Sequence, residues 1–440
     1  MIIARPNLID ADVIINAVEL NCRHGVGILL NRIFPDSENK IVLRTENIYG
    51  GDSPFGTVDY VLGPISPSRE EIRSKVEKML AGHTVKRILC VPYHPEEIFM
   101  ALAVQDITGA PICTYIMDDR NLLCHDISLE LMGELLDRSR LRLGICADMC
   151  MLYSLKYQVP IYFAPPVISA DLLDLHIPAA SNQILGLQKG AIVGNIWNSH
   201  WIKLLRHLTK TNQIELDWYG NTGAEWNIKN RSTLKADGII EKGFLPTESE
   251  LGQVLRTYSY AIVTSGTLDS RDDNSAAAWL SLPSRIPFIL ASSNTPIIVL
   301  GHSQTAAAQF VEQFGIGTVA DYTPESLRAA IDRVTQPIVQ QQMRENAARL
   351  APHLVNQRMD QWIWKSLVVG KPIDDRFERL LPESPSYLAP LSLCLDIIHN
   401  QQVEIHHLKT RFSLVEYLKK KTIRWQLLRR VYSQLKQLIS

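Results

Sequence analysis

The stretch KRILCVPYHPEEIFMALAVQDITGAPICTYIMDDRN, residues 86–121, contains a complete strand–helix–strand pattern. Residues 87–91 and 112–116 are short apolar runs with the length and β-branched content of buried strands. Between them Pro95 opens a helical pattern, because a first-turn proline needs no hydrogen-bond donor, and Gly109 is a typical C-terminal cap. A strand, a helix and a second strand in this order indicate a parallel βαβ unit.

The same alternation continues on both sides of this stretch. Further buried strands are predicted at 13–17, 41–44 and 143–147, and then at 191–194, 215–219, 260–264 and 297–300. Prolines are frequent in residues 162–181, where we expect the interdomain linker. With 440 residues the chain exceeds the roughly 250–300 that one core accommodates. The sequence therefore predicts an α/β protein of two Rossmann-like, doubly wound domains facing a cleft. The predicted boundaries are 1–172, 173–372 and a helical segment at 373–440.

Composition excludes several classes of protein. Apolar residues make up 46% of the chain and charged residues 21%, as in ordinary globular proteins. The net charge of −1 argues against a nucleic-acid binder, which would usually be strongly basic. The seven cysteines are scattered, and no second Cys/His pair completes a metal site with Cys146 and Cys150. We expect a reduced, cytoplasmic protein without a transmembrane segment.

The charge is unevenly distributed along the chain. Residues 409–440 carry a net charge of +8, and the rest of the chain carries −9. Seven apolar residues of this basic tail fall near one face of a predicted helix: Val415, Leu418, Trp425, Leu428, Tyr432, Leu435 and Ile439. Such a helix can lie on the anionic inner face of the plasma membrane. The alternative is that it docks on the acidic body or on a partner subunit and supports oligomerisation.

The first half offers two groups of candidate site residues. Gly25 and Gly27 precede a predicted helix, where glycines let a phosphate approach the backbone, although a simple tight turn is the alternative. His94 follows one predicted strand, and Asp118 and Asp119 follow the next. Adjacent parallel strands would bring this imidazole and the two carboxylates to the carboxyl edge of the sheet, which we call the rim. There they could position hydroxyls or act as acid and base. The alternative is an ordinary loop histidine beside turn-capping aspartates.

The second half places small and hydrogen-bonding residues after its strands. Gly194-Asn195 follows the first strand and Ser265 follows the run 260–264. Ser284 and Arg285 open a predicted helix, where a hydroxyl, a guanidinium and backbone donors would face a diphosphate. The alternatives are ordinary turns, a capping serine and a solvated arginine.

Eight motifs occur in a fixed order along the chain: 24–27, His94, 115–119, Gly194-Asn195, 217–220, 243–246, 283–298 and 315–317. In order and spacing they resemble the GT-B glycosyltransferases, specifically the glycosyltransferase family 4-like group. The resemblance covers roughly residues 10–335. It implies a metal-independent, hexosyltransferase-type enzyme of polysaccharide or glycoconjugate biosynthesis that needs no cofactor. A nucleotide-sugar donor would bind the C-terminal domain and a glycan or lipid-linked acceptor the N-terminal one.

The resemblance also implies which residues contact the donor. The diphosphate would lie near Gly27, Ser284 and Arg285, and the base near Phe244 and Leu245. The sugar would lie near Asn294 and Thr295, and His94 would be close to the transferred sugar.

Two alternatives remain at this point. Many retaining members have two glutamates before the Thr-Pro turn, the second of which binds the ribose. This chain has none between Glu250 and Glu312, and the ribose position is Ile289. A degenerate GT-B module that binds a sugar nucleotide or a partner without turnover would account for that difference. An NAD-dependent oxidoreductase is disfavoured because Leu30 occupies a position where the dinucleotide fingerprint needs glycine or alanine.

Overall fold

The computed structural model describes residues 6–50, 53–63, 68–175, 189–196, 198–220, 231–269, 271–272 and 275–381. The predicted basic tail and the last part of the predicted linker lie outside these residues. Within them the chain forms two parallel sheets flanked by helices, as the alternating strand and helix patterns predicted. In this part of the chain no helix is long and apolar enough to cross a membrane.

The first sheet has seven parallel strands: β1 (Ala11–Asn16), β2 (Lys40–Arg44), β3 (Val58–Val61), β4 (Val85–Cys90), β5 (Ile112–Ile116), β6 (Ser139–Gly144) and β7 (Tyr162–Phe163). Five helices accompany them: α1 (Gly25–Ile33), α2 (Arg69–Met79), α3 (Pro95–Thr108), α4 (Leu129–Arg138) and α5 (Ala147–Tyr157). The order across the sheet is β3-β2-β1-β4-β5-β6-β7. The winding reverses between β1 and β4, and in such sheets ligands bind at that point, beyond the carboxyl ends of the strands.

The second sheet has six parallel strands: β8 (Gly190–Val193), β9 (Leu216–Tyr219), β10 (Ile239–Gly243), β11 (Tyr260–Thr264), β12 (Ile297–Leu300) and β13 (Gly317–Ala320). Its order is β10-β9-β8-β11-β12-β13, so the winding reverses between β8 and β11. The helices that follow in the chain are α6 (Ser199–Asn212), α7 (Arg231–Ala236), α8 (Glu248–Leu255), α9 (Ser275–Leu280), α10 (Arg285–Ser293), α11 (Ala306–Gln313), α12 (Pro324–Val334), α13 (Pro337–Leu350) and α14 (Met359–Val369). Short 3₁₀ turns lie at Ala170–Leu172, Ala351–Leu354 and Glu378–Leu380.

Some predicted boundaries differ from the structure. The strand predicted at 143–147 is β6, which begins at Ser139, and Ala147 is already the first residue of α5. The reason is that Arg140 and Arg142 alternate with leucines in β6, which hides a half-exposed strand from a search for apolar runs. The short strand β7 lies inside the predicted linker. The first sheet ends at Phe163 and the second begins at Gly190, so the predicted boundary at 172/173 falls between them and stays a prediction.

Each sheet forms one structural unit with its helices, and the chain crosses between these two units twice. After β7 it reaches Ile168, which pairs with Val355 on the return. Helix α14 then packs on the first sheet, where the Trp364 ring lies 5.4 Å from Phe34 and 4.3 Å from the guanidinium of Arg87. The C-terminal part of the described chain therefore belongs to the body of the first unit, and the two crossings lie side by side.

Arg32 of α1 joins these crossings to the second unit. Its guanidinium forms an ion pair with Glu248 at the start of α8 and donates to the carbonyl of Val167 at 3.2 Å. It also lies 5.6 Å from the centre of the Phe288 ring, and its own carbonyl accepts from Asn356. The Arg32 side chain is only 4% exposed, whereas Glu248 is 35% exposed, so a buried guanidinium connects the two units to a partly exposed carboxylate.

Removal of this contact should destabilise the protein. We expect Arg32→Met to lower the free energy of unfolding by about 2–3 kcal/mol, because Glu248 and the Val167 carbonyl lose a buried partner. The matched control is Arg69→Met, which breaks the exposed ion pair with Glu134 and should cost below about 1 kcal/mol. Thermal unfolding of both variants measures the difference, and equal shifts in Tm would contradict this role of Arg32.

Candidate active site

Gly25 and Gly27 lie in the first turn of α1, which begins three residues earlier than the sequence predicted. His24 is the N-cap, and its Nδ1 accepts from the Gly27 amide at 3.4 Å. A Cβ at Gly27 would lie 2.2 Å from the carbonyl oxygen of Asn21, so the loop needs glycine there because its backbone folds back closely. A Cβ at Gly25 would lie 3.2 Å from Oγ of Ser284. The N-terminus of α1 therefore meets the first residues of α10 across the cleft.

Arg285, the first residue of α10, organises the second sheet at this junction. Its Nη1 donates to the carbonyls of Val193 at 3.1 Å and Asn195 at 2.7 Å, and its Nη2 donates to the carbonyl of Thr264 at 3.1 Å. Burial lowers the pKa of Arg285 to about 10, so the side chain remains charged at neutral pH. In the described part of the chain no carboxylate forms an ion pair with it. Among the described residues, the positive charge of Arg285 is therefore not neutralised by an ion pair.

The predicted residues Gly194 and Asn195 lie against this guanidinium, and Ser265 is the next residue after Thr264, which also binds it. Gly194 has a φ of +85°, and a Cβ there would lie 3.1 Å from Nη1 of Arg285, so glycine suits the position on both counts. Asn195 supplies a carbonyl to the guanidinium, and Ser265 directly follows the strand end that supplies another. The hydroxyl of Thr264 is buried without a hydrogen-bond partner at this point. The strand ends of β8 and β11 therefore form one polar surface around Arg285.

Phe244 and Leu245 follow β10, at the edge of the same sheet. Phe244 is 55% exposed, whereas Leu245 packs against the core. Gly243 pairs in register with Tyr219, and Tyr219 with Val193, so Phe244 stands level with Gly194 two strands away. That separation is about 10 Å at the usual spacing of strands. An exposed aromatic ring thus lies beside the polar surface around Arg285.

Asn294 and Thr295 lie at the end of α10 that faces away from the cleft. Asn294 is the left-handed C-cap of α10, and both residues are buried, at 0% and 1% exposure. Asn294 donates to the carbonyl of Asp174 at 3.0 Å, and the Thr295 hydroxyl donates to the carbonyl of Leu255 at 2.8 Å. The nine residues of α10 separate them from Ser284 by about 13 Å. The structure does not bring these two residues to the cleft, since they precede β12 whereas the cleft lies beyond the carboxyl ends of the strands.

His94 and Asp118 follow the paired strands β4 and β5, at the same edge of the first sheet. The Tyr93 hydroxyl donates to Asp118 at 3.0 Å, and the Ser281 hydroxyl donates to it across the cleft at 3.2 Å. Burial raises the pKa of Asp118 although both hydrogen bonds oppose the shift. Burial and the nearby Arg120 lower the pKa of His94, which favours its neutral form. The rim therefore combines a neutral imidazole with a carboxyl group of raised proton affinity.

Asp119 has a different role from Asp118. It is fully buried, and its carboxylate accepts from the amides of Asn121, Leu122 and Leu123 and from the Tyr153 hydroxyl. These four bonds use its oxygens within the loop, so Asp119 builds the rim and does not face the cleft. This is the turn-capping alternative that the sequence left open for the pair.

Several residues of this site were not predicted. Tyr93 and Ser281 hold Asp118, and the Cys146 thiol donates across the cleft to the carbonyl of Leu280 at 3.1 Å. Tyr93 and Cys146 each follow a strand closely, so a search of every residue after a predicted strand would have included them. Ser281 lies in the segment 280–284, directly before the predicted helix. Among the described residues no group of three or more His, Cys, Asp or Glu is arranged to hold a metal ion.

The architecture is similar to that of known structures. HepE from Anabaena in complex with UDP-glucose shares 10% identity with a TM-score of 0.60, covering 82% of this chain and 99% of HepE. The chain has a GT-B fold. Sucrose-phosphate synthase from Thermosynechococcus elongatus aligns over 82% of this chain and 100% of its own at 11% identity, TM-score 0.58. The lipopolysaccharide outer core galactosyltransferase WaaB aligns over 81% and 99%, at 11% identity and a TM-score of 0.52.

The GT-B fold confirms the architecture that the sequence resemblance predicted, and the finer assignment to the family 4-like group stays a prediction. No protein-family model and no curated protein matches the chain. Identities of 10–11% show the fold alone.

The two glycines in the first turn of α1 should respond differently to substitution. We expect Gly27→Ala to destabilise the protein by about 3 kcal/mol, because its Cβ would overlap the Asn21 backbone, which cannot move without distorting the loop. Gly25→Ala should change stability by less than about 1 kcal/mol, since the facing Ser284 hydroxyl can rotate away. Chemical denaturation of both variants is the measurement. A larger loss for Gly25→Ala would contradict the close approach at Gly27.

Proposed function

We propose that the protein is a glycosyltransferase that moves a sugar from a nucleoside-diphosphate sugar to a glycan or lipid-linked acceptor, without a metal ion or cofactor. The observation that carries the proposal is the Arg285 guanidinium, which has no carboxylate partner among the described residues and is placed where the N-termini of α1 and α10 meet. The solved structures of the same fold support it, since HepE is seen with UDP-glucose and WaaB is a galactosyltransferase.

This junction is suited to a diphosphate. The first amides of a helix have no partner within the helix, and its macrodipole favours an anion at that end. Two such ends approach each other between Gly25 and Ser284, and the positive charge of Arg285 adds to both. The leaving group of glycosyl transfer is a nucleoside diphosphate, whose charge grows as the bond to the sugar breaks. Preorganised donors at this point would stabilise that charge and so lower the barrier.

The nucleoside would lie toward β10. Phe244 offers an exposed ring for stacking against a base, about 10 Å from Gly194, a distance that a nucleoside diphosphate can bridge. Ile289, at the position where the resemblance expects a ribose-binding glutamate, is fully buried. We infer that the base and the diphosphate supply most of the donor affinity.

The acceptor side would use the rim of the first sheet. Asp118 is held by Tyr93 and Ser281, and its raised pKa makes it a suitable acceptor for the proton of an attacking hydroxyl. The neutral imidazole of His94 would hydrogen-bond the transferred sugar. Asp119 has no place in this scheme, because its oxygens are used within the loop.

One observation favours a second candidate, a GT-B module that binds a sugar nucleotide without turnover. Asn294 and Thr295 do not reach the cleft, and Ile289 provides no contact to a ribose hydroxyl. Release of free nucleoside diphosphate from a nucleotide sugar in the presence of an acceptor distinguishes the two candidates, since the non-catalytic module binds the donor but leaves it intact.

Arg285 provides the first test. We expect one of the nucleoside diphosphates UDP, GDP or ADP, tested beside CMP, to raise the Tm of the protein, because a ligand that binds only the folded state stabilises it. Arg285→Gln should weaken binding of that nucleotide at least about tenfold, as loss of a charge-assisted contact costs roughly 1.5–3 kcal/mol. Thermal-shift titration measures both effects, and NAD is included in the panel.

The matched control is Arg344→Gln. Arg344 is also buried, and donates to the carbonyls of Ser293, Asn294 and Tyr258 at the opposite end of α10. Its loss should lower the Tm without changing nucleotide affinity by more than about twofold. Equal loss of affinity in the two variants would show that Arg285 acts through stability alone. A shift with NAD only would refute the transferase proposal.

We further propose that the basic tail, residues 409–440, holds the enzyme at the cytoplasmic face of an anionic membrane. Its net charge of +8 on an otherwise acidic chain supports this, and each basic residue near such a surface contributes about 1 kcal/mol. The full chain should co-sediment with vesicles that contain phosphatidylglycerol and not with pure phosphatidylcholine. Replacing Lys419, Lys420, Lys421 and Arg424 by Gln should abolish most of this binding. Binding that persists in the replaced chain would refute the proposal.

A further inference from the structure

Glu97 is a fully buried carboxyl group directly behind the rim of the first sheet. Its Oε2 accepts from the amide of Tyr93 at 3.2 Å and from the amide of His94 at 2.6 Å. Its Oε1 lies 3.0 Å from the hydroxyl oxygen of Thr45. One side chain of α3 therefore links the segment after β4, which carries His94, to the segment after β2.

The link extends to a third strand end. The Thr45 hydroxyl lies 2.7 Å from the carbonyl of Ala17, which directly follows β1. That carbonyl also accepts from the amides of Thr45 and Glu46. The rim segments that follow β1, β2 and β4 are thus connected through Glu97 and Thr45, and none of these contacts involves solvent-exposed groups.

The network can be satisfied with Glu97 either charged or neutral. A hydroxyl has one hydrogen to donate, and the Thr45 hydroxyl has two acceptors within reach, Glu97 and Ala17. When Glu97 is charged, the hydroxyl donates to Oε1. When Glu97 is protonated on Oε1, that proton goes to the Thr45 oxygen and the hydroxyl turns to the Ala17 carbonyl. In both states Oε2 remains free to accept from the two amides.

Burial raises the pKa of Glu97 to about 7, although its hydrogen bonds to His94, Thr45 and Tyr93 oppose the shift. Its titratable neighbours are Glu96 on the same helix, which raises the pKa further, and the Cys90 thiol of β4. Both protonation states are therefore populated near neutral pH, and both retain the contact to His94.

We propose that Glu97 is a positioning residue for the transfer reaction, which fixes the backbone of Tyr93 and His94 so that the Tyr93 hydroxyl reaches Asp118 and the imidazole faces the cleft. The inference rests on the proposed transferase function. Glu97 is fully buried behind the rim, and the Tyr93 and His94 amides and the Thr45 hydroxyl engage its oxygens. Its effect on the reaction passes through Tyr93, His94 and Asp118.

Two substitutions separate this role from a general contribution to stability. In Glu97→Gln the side-chain oxygen can accept from both amides and the side-chain nitrogen can donate to Thr45, which reproduces the neutral state of the network. In Glu97→Met, of similar volume, the two buried amides lose their acceptor. We expect kcat to fall at least tenfold in Glu97→Met with the donor KM changed less than about twofold, and Glu97→Gln to restore kcat to within about threefold of the original protein.

Amide hydrogen exchange of the peptide that contains Tyr93 and His94 gives a readout that does not depend on turnover. Exchange should be slow in the original protein and in Glu97→Gln, both below and above the pKa of Glu97, and at least tenfold faster in Glu97→Met. If the original protein turns over no nucleotide sugar, the proposed function fails while exchange still reports whether Glu97 holds the segment. Unchanged kcat in Glu97→Met, or equal losses in kcat and donor affinity, would overturn the positioning role.

Discussion

The geometry of the cleft depends on the guanidinium of Arg285. It bonds to carbonyls at the ends of β8 and β11 and beyond β8, so two strand ends are fixed relative to the first turn of α10. That turn stands opposite Gly25 of the other unit. The cost of burying an arginine is offset by these bonds, and no carboxylate of the described residues pairs with its charge. An anion that enters the cleft would supply the missing countercharge.

Buried apolar residues of both units belong to one continuous cluster, and polar contacts also cross between the units. Ser281 reaches Asp118, and the carbonyl of Leu280 accepts from Cys146, so the segment 280–284 contacts the rim of the first sheet at several points. Arg32 provides a second connection near the chain crossings. The segment 280–284 and Asp118 are therefore parts of one interface, which would bring a donor and an acceptor together.

The sequence was sufficient to predict the two sheets, because parallel strands read as apolar runs. Since the carboxyl ends of parallel strands meet at one edge, the same argument placed His94 and Asp118 after neighbouring strands, and their role in a site stays a prediction. Asp119 could not be told from Asp118, since only the local backbone decides which carboxylate accepts the loop amides. Asn294 and Thr295 were placed by family analogy at the cleft, whereas α10 separates them from it. Glu97 carried no signal, because a glutamate in the first turn of a helix is ordinary.

A crystal structure of the protein with the nucleoside diphosphate that stabilises it most tests the central claim directly. The account predicts that the phosphates lie between the N-termini of α1 and α10, within hydrogen-bond distance of backbone amides near Gly27 and Ser284 and close to Arg285. Phosphates bound elsewhere, or a cleft in which Arg285 remains without an anion at saturating nucleotide, would contradict it.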